Sequence, residues 1–310
     1  MANRKIILDC DPGHDDAIAI LLAGKNPTLD LLGLTIESGN QTLDKTGRNA
    51  LNICQFLEID VPVCLGVEKP IIKEVEICDA IHGETGLDGF DFPRLKKQFD
   101  QRHAVNFIIE SILSSKEKIT VITTGPMTNL ALAIKLEPKI IENIEEVVLM
   151  GGSYQNGNVS PAAEFNILCD PEAAYIVFNS NLKITMIGLD VTRQVLVYPN
   201  IIDRMDKINN KASLLFTKLM TVFNENQKRV FGFLGSPLHD PVTIAYLIDP
   251  SVIETKLVNC TIDISHGPSY GRTNCDIFDY LKKPKNAYIA MNIDVEKFWN
   301  IIEKGISRYK

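Results

Sequence analysis

Four carboxylates fall within eight residues near the start of this chain, at Asp9, Asp11, Asp15 and Asp16. Ile6, Ile7 and Leu8 predict a buried strand, and Asp9 and Asp11, two apart, share one of its faces. Pro12 and Gly13 break the strand, and Asp15 and Asp16 precede an apolar, helix-like run over residues 17–23. One acid at a helix start is ordinary, because free backbone N–H groups and the macrodipole favour it. Four acids around one turn repel one another unless a cation or shared protons neutralise them. Oxygen-only ligands on a tight turn suit a hard ion, calcium or magnesium.

Two further constellations could join this cluster. His239-Asp240 sits in a loop flanked by Gly235, Pro237 and Pro241, at a helix start. Asp240 reads either as a helix cap or as a second loop's contribution to a metal site. His239 is either a surface residue or a proton-transfer group, the role for which histidine is best suited near neutral pH. Glu164 and Asn166 alternate with Ala163, Phe165 and Ile167, which predicts either a half-exposed strand or a polyol-binding pair of acceptor and amide donor. Asn40 and Asn158 could add to such a pair. Asn129 reads as a helix-start residue and Asp190 as a structural one. No phosphate-binding glycine loop, dinucleotide fingerprint or serine nucleophile elbow is present in the sequence.

Positioning these groups requires a sheet. Strand-like segments over residues 6–9, 29–36, 61–65, 119–124, 147–150 and 184–189 alternate with helix-like ones over 17–23, 43–57, 104–114, 129 onward and 170 onward. That alternation predicts parallel strands with crossover helices on both faces, an open Rossmann-like α/β fold. Asp9/Asp11, Asn40, Thr124, Met150 and Asp190 each follow a strand, where ligands of such sheets bind. Asp170 followed by Pro171 predicts a capped helix start. Residues 67–100 are irregular around His82, with Gly83, Gly86 and Gly89, and read as a functional lid or binding loop. Residues 200–231 look helical, 256–264, 273–278 and 287–293 look like an antiparallel extension, and 295–306 a terminal helix. No linker or repeat divides the chain, so residues 1–310 are read as one domain.

Composition sets the remaining limits. The 310-residue chain has 45% hydrophobic residues, a net charge of −7 and a pI near 5.4, which argues against a nucleic-acid partner. No apolar run reaches the ~18 residues of a membrane span, and a strand starting within five residues leaves no room for a signal peptide. The seven cysteines form no Cys-x-x-Cys pair and are expected to be reduced, mostly core residues of a cytoplasmic protein.

Five motifs, taken together and in order, resemble the inosine-uridine preferring nucleoside hydrolases. They are Asp9-Cys-Asp-Pro-Gly-His-Asp-Asp16, Thr124-Gly-Pro-Met-Thr-Asn129, Met150-Gly-Gly152, Ala163-Glu-Phe-Asn-Ile167 and Leu238-His-Asp-Pro241. The resemblance spans nearly the whole chain and includes the pyrimidine-specific ribonucleoside hydrolases. It implies one calcium ion per subunit, a dimer or tetramer, and release of ribose and free base from a ribonucleoside. It implies Asp11, Asp16, Asp240 and the Thr124 carbonyl as calcium ligands, with Asp11 also the general base toward water. It implies Asp15, Asn40, Asn158, Glu164 and Asn166 on the ribose hydroxyls and Met150 along the sugar pocket. His82 and His239 fall near the base, with His239 the expected proton donor.

Gln227, twelve residues before His239, resembles the amide of the pyrimidine-preferring branch, where purine-accepting members carry an aromatic. Phe231 stands where that branch tends to have Tyr, so one hydrogen bond to the base is expected to be missing. Uridine or cytidine is the expected substrate, with broad inosine-uridine hydrolysis the alternative. Two other classes remain open: a metal-dependent phosphotransferase with Asp9 or Asp11 as nucleophile, and a non-catalytic nucleoside-binding protein. The first lacks an evident Lys or Arg at the strand ends, and retention of Asp11 argues against the second.

Overall fold

The computed structural model describes residues 3–309. The strands in chain order are β1 (Arg4–Cys10), β2 (Leu29–Ile36), β3 (Val63–Leu65), β4 (Ile119–Thr123), β5 (Ile144–Met150), β6 (Ile184–Ile187), β7 (Leu196–Val197), β8 (Ser236–Pro237), β9 (Ile253–Val258), β10 (Cys260–Ile262), β11 (Thr273–Cys275) and β12 (Ala287–Ile293). The α-helices are α1 (His14–Gly24), α2 (Leu43–Leu57), α3 (Asp79–His82), α4 (Ala104–Ser114), α5 (Thr128–Leu136), α6 (Phe165–Cys169), α7 (Pro171–Phe178), α8 (Leu189–Thr192), α9 (Pro199–Asp206), α10 (Lys211–Phe231), α11 (Pro241–Ile248) and α12 (Val295–Ile306). Among the described residues, eight strands form one sheet in the order β3-β2-β1-β4-β5-β6-β12-β9. Its strands run parallel except β9, which pairs antiparallel with β12.

Helices cover both faces because successive strand residues point to opposite sides. Ile6 and Leu8 of β1 enter the core built with α1, α2, α10 and α12, whereas Ile7 enters the one built with α4, α5 and α7. The strand order reverses between β1 and β4. Loops leaving those two strands diverge and open a crevice at their carboxyl ends. Asp11, Asn40, Thr124 and Met150 all arrive there from different strands.

Local signals explain the helix starts. Asp170 caps α7 by accepting from Ala173 N at 3.0 Å, with Pro171 in the first turn. Asp16 accepts from Gly13 N at 3.0 Å, so one acid of the first cluster does cap α1. The N-terminus of α5 is satisfied from a distance instead. Glu37 Oε2 accepts from Thr128 N at 3.1 Å and Asn129 N at 3.4 Å.

Three expectations are corrected. Residues 163–167 are not a half-exposed strand: Glu164 is the cap of α6, accepting from Ile167 N at 3.2 Å, and Asn166 lies in the first helical turn. A carboxylate cap competes with extension, which alternation of polarity alone does not reveal. Residues 200–231 are two helices rather than one. Asn209 adopts φ +53°, and Asn210 restarts the helix by exchanging hydrogen bonds with Ser213 at 2.9 Å. The three late strands are not one antiparallel extension. β12 joins the parallel sheet beside β6, β9 flanks it antiparallel, and Asn259 separates β9 from β10, which pairs with β11 in a ribbon of its own.

Asn129 is more than a helix-start residue. Its side chain donates to Asp9 Oδ1 at 2.9 Å and Ile36 O at 3.2 Å and accepts from Val67 N at 3.0 Å, tying β1 to β2 and to the segment after β3. Asn129→Ala leaves these buried groups short of partners and is expected to cost about 1–3 kcal/mol. The check is urea unfolding, where a lower midpoint at constant slope supports this account and an unmoved midpoint contradicts it.

Candidate active site

Asp11, Asp15, Asp16 and Asp240 are all buried at the crevice. Ligand-capable atoms of Asp15, Asp16 and Asp240 lie within 4.8 Å of one another. Asp11 stands outside this triplet, and Asp15, expected on the sugar, stands inside it. Donors crowd in from neighbouring loops. Asn40 N donates to Asp11 Oδ2 at 2.6 Å, Asn40 Nδ2 to Asp16 Oδ2 at 3.0 Å, and Thr124 Oγ1 to Asp16 Oδ1 at 2.7 Å. Glycines let the chain close around Asp11: a Cβ on Gly39 would fall 2.1 Å from Asp11 Oδ2, and one on Gly125 2.7 Å from Asp11 Oδ1.

Those donors do not satisfy the cluster. Asp11 Oδ1 and Asp15 Oδ1 are buried with no hydrogen-bond partner. Asp240 precedes α11 without capping it through its side chain, which leaves its carboxylate to the cluster. Burial, and then the neighbouring carboxylates, raise the pKa of Asp15 to about 7 and those of Asp11 and Asp240 well above the usual range. Burial raises Asp16 as well. Unpaired buried carboxylate oxygens with elevated proton affinity are what a hard divalent cation would satisfy, so the donor set fits one.

Above the acids lies a cavity of about 250 Å³. Asp15, Asn40, Thr124, Met150, Asn158, Glu164, Asn166 and Asp240 line it. Asn166 Nδ2 donates to Thr124 O at 2.8 Å and Met150 O at 3.1 Å. Glu164 Oε2 accepts from Gly152 N at 2.9 Å, and Asn158 Oδ1 from Phe165 N at 2.9 Å. Acceptors and donors thus face one small volume, held by the backbone they cap. Asp11 and Asp16 lie behind this wall.

His82, Gln227, Phe231 and His239 line the same cavity. His82 Nδ1 accepts from the backbone N of His14 at 3.2 Å. A backbone N–H only donates, so the proton of the neutral His82 ring sits on Nε2. His14 Nε2 faces the Asp88 carbonyl at 2.9 Å, and its ring stacks on Phe223 with centroids 5.2 Å apart. The segment around His82 is fastened as well: Asn226 donates to Ile81 O at 3.0 Å, and Gln41 to Gly83 O at 3.1 Å. His239 Nδ1 lies 2.7 Å from the Thr192 hydroxyl. Burial, then the Arg193 charge, lower its pKa to about 3. It is therefore a neutral imidazole, able to donate a hydrogen bond rather than a stored proton. Gln227 is buried with Oε1 unpaired, and Phe231, half exposed, stacks on Phe233 at 5.4 Å.

Reading the sequence missed Phe223, Arg193 and Thr192. Phe223 lies one helical turn before Gln227 and lines the cavity, a spacing that could have found it. Arg193 also lines the cavity and braces its wall, donating to Gly157 O at 2.8 Å. Thr192 carries no signal in the sequence, because only the fold of α8 brings it to His239.

The family model of the inosine-uridine preferring nucleoside hydrolases matches residues 6–300. The pyrimidine-specific ribonucleoside hydrolase RihB of an Escherichia coli strain is 48% identical over 309 residues, covering 100% of this chain and 99% of its own. The solved structure of a purine-preferring ribonucleoside hydrolase from Gardnerella vaginalis aligns with a TM-score of 0.92 at 35% identity, over 98% of both chains. That of an inosine-guanosine nucleoside hydrolase aligns with a TM-score of 0.91 at 26% identity, over 99% of this chain and 100% of that one.

A cation at the acid cluster must displace protons that burial holds there, up to about pH 7 for Asp15. Calcium affinity is therefore expected to rise between pH 5.5 and pH 8, the carboxyls ionising as pH increases. At about 100 times its Kd, calcium is expected to add about 2.7 kcal/mol to stability. Calorimetric titration at the two pH values, with thermal unfolding in chelator as reference, checks both. A pH-independent affinity, or no stabilisation, contradicts the assignment.

Proposed function

We propose that this chain, which belongs to the inosine-uridine preferring nucleoside hydrolase family, is a calcium-dependent hydrolase that prefers the pyrimidine ribonucleosides uridine and cytidine. The observation that carries the reading is the pairing of unsatisfied buried carboxylates with a nucleoside-sized cavity ringed by hydroxyl-binding groups. Asp11, Asp16, Asp240 and the Thr124 carbonyl are the calcium ligands of this reading, with Asp15 close enough to share the ion. Bound there, calcium would lower the pKa of a water and orient the ribose.

The chain's own groups do the rest. Asp11, with one free oxygen, takes the proton of the attacking water. Asp15, Asn40, Asn158, Glu164 and Asn166 hold the ribose hydroxyls, and Met150 packs along the sugar. Breaking the N-glycosidic bond develops positive charge on the ribosyl ring, as in other glycoside hydrolyses. The surrounding acids stabilise that charge more than the neutral substrate, which is where catalysis gains. His82 and His239 offer N–H donors to the departing base.

Gln227, with an unpaired carbonyl oxygen on the cavity wall, supports a pyrimidine edge, as does the likeness to RihB. Phe231 in place of a hydroxyl-bearing ring leaves one contact fewer. The likeness to a purine-preferring structure at 35% identity keeps broad inosine-uridine hydrolysis as the second reading. Among the described residues no helix is long and apolar enough to cross a membrane. A cytoplasmic homodimer or homotetramer of single-domain subunits, without nucleic-acid or membrane partners, completes the proposal. The exposed Phe278, Tyr280 and Leu281 support association of copies.

Reducing-sugar release from a nucleoside panel, with and without chelator, tests the reading directly. Asp11→Asn is expected to keep the fold and lower turnover about 10²–10⁴-fold; near-wild-type turnover with calcium present contradicts its role. Uridine is expected to exceed 2′-deoxyuridine at least tenfold in kcat/KM, since an unpaired buried polar group costs about 1–3 kcal/mol. Equal rates rule out the hydroxyl contacts. His239→Ala is expected to lower inosine cleavage far more than uridine cleavage, because a departing purine relies on a hydrogen-bond donor at its ring and the neutral His239 can supply one. Equal losses on both substrates would make His239 a general site-shaping residue.

A further inference from the structure

Away from the cavity, β10 and β11 form an antiparallel ribbon in which Cys260 stands directly opposite Cys275. Their Sγ atoms are 3.4 Å apart, and both thiols are free. The ladder explains the approach. Asp276 N donates to Asn259 O at 2.8 Å and Asp263 N to Arg272 O at 2.9 Å, which marks 259/276 and 263/272 as hydrogen-bonded pairs. Alternation then makes Cys260/Cys275 a non-hydrogen-bonded pair, where Cα atoms stand about 4.5 Å apart and side chains approach most closely. A disulfide spans that separation without backbone movement. Asn286 fixes the outer edge of Cys260, donating to its carbonyl at 2.9 Å and accepting from its N at 2.8 Å.

We propose that Cys260 and Cys275 are a dithiol–disulfide site that closes by exchange with a low-molecular-weight disulfide. Cys275 is half-buried and Cys260 fully buried, so Cys275 meets the reagent first. Its thiolate attacks one reagent sulfur, the reagent S–S bond breaks, and one small thiol leaves with a proton. The Cys260 thiolate then attacks Sγ of Cys275, the protein S–S bond forms, and the second small thiol departs. Two protein thiols lose two electrons in total, and the reagent disulfide is reduced to two thiols.

The other cysteines lack this arrangement. Cys10, Cys54, Cys64 and Cys169 are buried, and Cys78 is half-buried on the cavity wall with no second thiol in reach among the described residues. The pair also has a structural neighbour of consequence. Thr273, two residues before Cys275 on the same face, accepts from Ser153 N at 2.9 Å and donates to Ser153 O at 2.6 Å. Ser153 follows Gly152, whose N–H is bound by Glu164. Closing the pair fixes the ribbon that braces this loop. The proposal stands independently of the substrate assignment.

The test uses the full chain, reduced, freed of reductant and exposed to bis(2-hydroxyethyl) disulfide, then alkylated in denaturant and mapped by mass spectrometry. The expected product links the Cys260 and Cys275 peptides with loss of two hydrogens and reopens with dithiothreitol. In Cys260→Ala, Cys275 is expected to keep the hydroxyethylthiol as a stable mixed disulfide. A hydroxyethylthiol retained on Cys275 in the wild type overturns the proposal. So does full alkylation of both cysteines once Cys78 has reacted. Should Cys260→Ala not fold, the wild-type map alone decides.

Discussion

Like charges forced together out of water are the constraint on which this molecule is built. Asp9, Asp11, Asp15, Asp16, Glu37 and Asp240 are all at most 4% exposed, on strand ends, loops and a helix start that meet at one end of the sheet. Left alone, such a group would expel its charges by taking up protons, and the raised carboxyl pKa values reflect that pressure. The fold answers with donors brought from several strands. Thr35 and Asn129 serve Asp9, Asn40 serves Asp11 and Asp16, and Thr124 serves Asp16. They leave one oxygen unpaired on each of Asp9, Asp11, Asp15 and Glu37, and of these Asp15 lines the cavity. Full satisfaction by protein groups would give a sturdier but inert floor.

The histidines beside this cluster follow the opposite rule. His14, His82 and His239 are buried, and burial pushes each below its ordinary pKa. Their rings are neutral, so their tautomers matter more than their charge. Backbone groups set two of them: His14 N–H faces His82 Nδ1, and the Asp88 carbonyl faces His14 Nε2. Buried carboxylates and the neutral imidazoles of His82 and His239 thus share one cavity. A substrate whose sugar gains positive charge while its base gains negative charge suits that combination.

Sequence spacing carried far into this architecture. The alternation of apolar runs predicted the parallel sheet and its two helical faces, and the bounds of β2, α2, α4, β12 and α12 agree with those of the structure. Proximity along the chain also made Asp9, Asp11, Asp15 and Asp16 readable as one cluster, since a strand and a turn leave them nowhere else to go. Where a polar side chain bonded to its own backbone, the signal failed. Glu164 turned an apparent strand into a capped helix, and Asn210 divided one apparent helix into two. Periodicity reports which face is buried, not whether a cap has ended the element.

By itself, then, the amino-acid order determined the α/β class, the acid-rich turn and the motifs that carry the family likeness, all of which depend on neighbours within a few residues. Tertiary structure alone decided the partners that lie far apart in the chain. It brought Asp240 to Asp15 and Asp16, Asn129 to Asp9 across 120 positions, Thr192 to His239, and Cys260 to Cys275. It also decided which carboxylate oxygens stay unpaired. Each of these depends on strand order and register, and a register is settled by the packing of the whole sheet rather than by the residues it aligns.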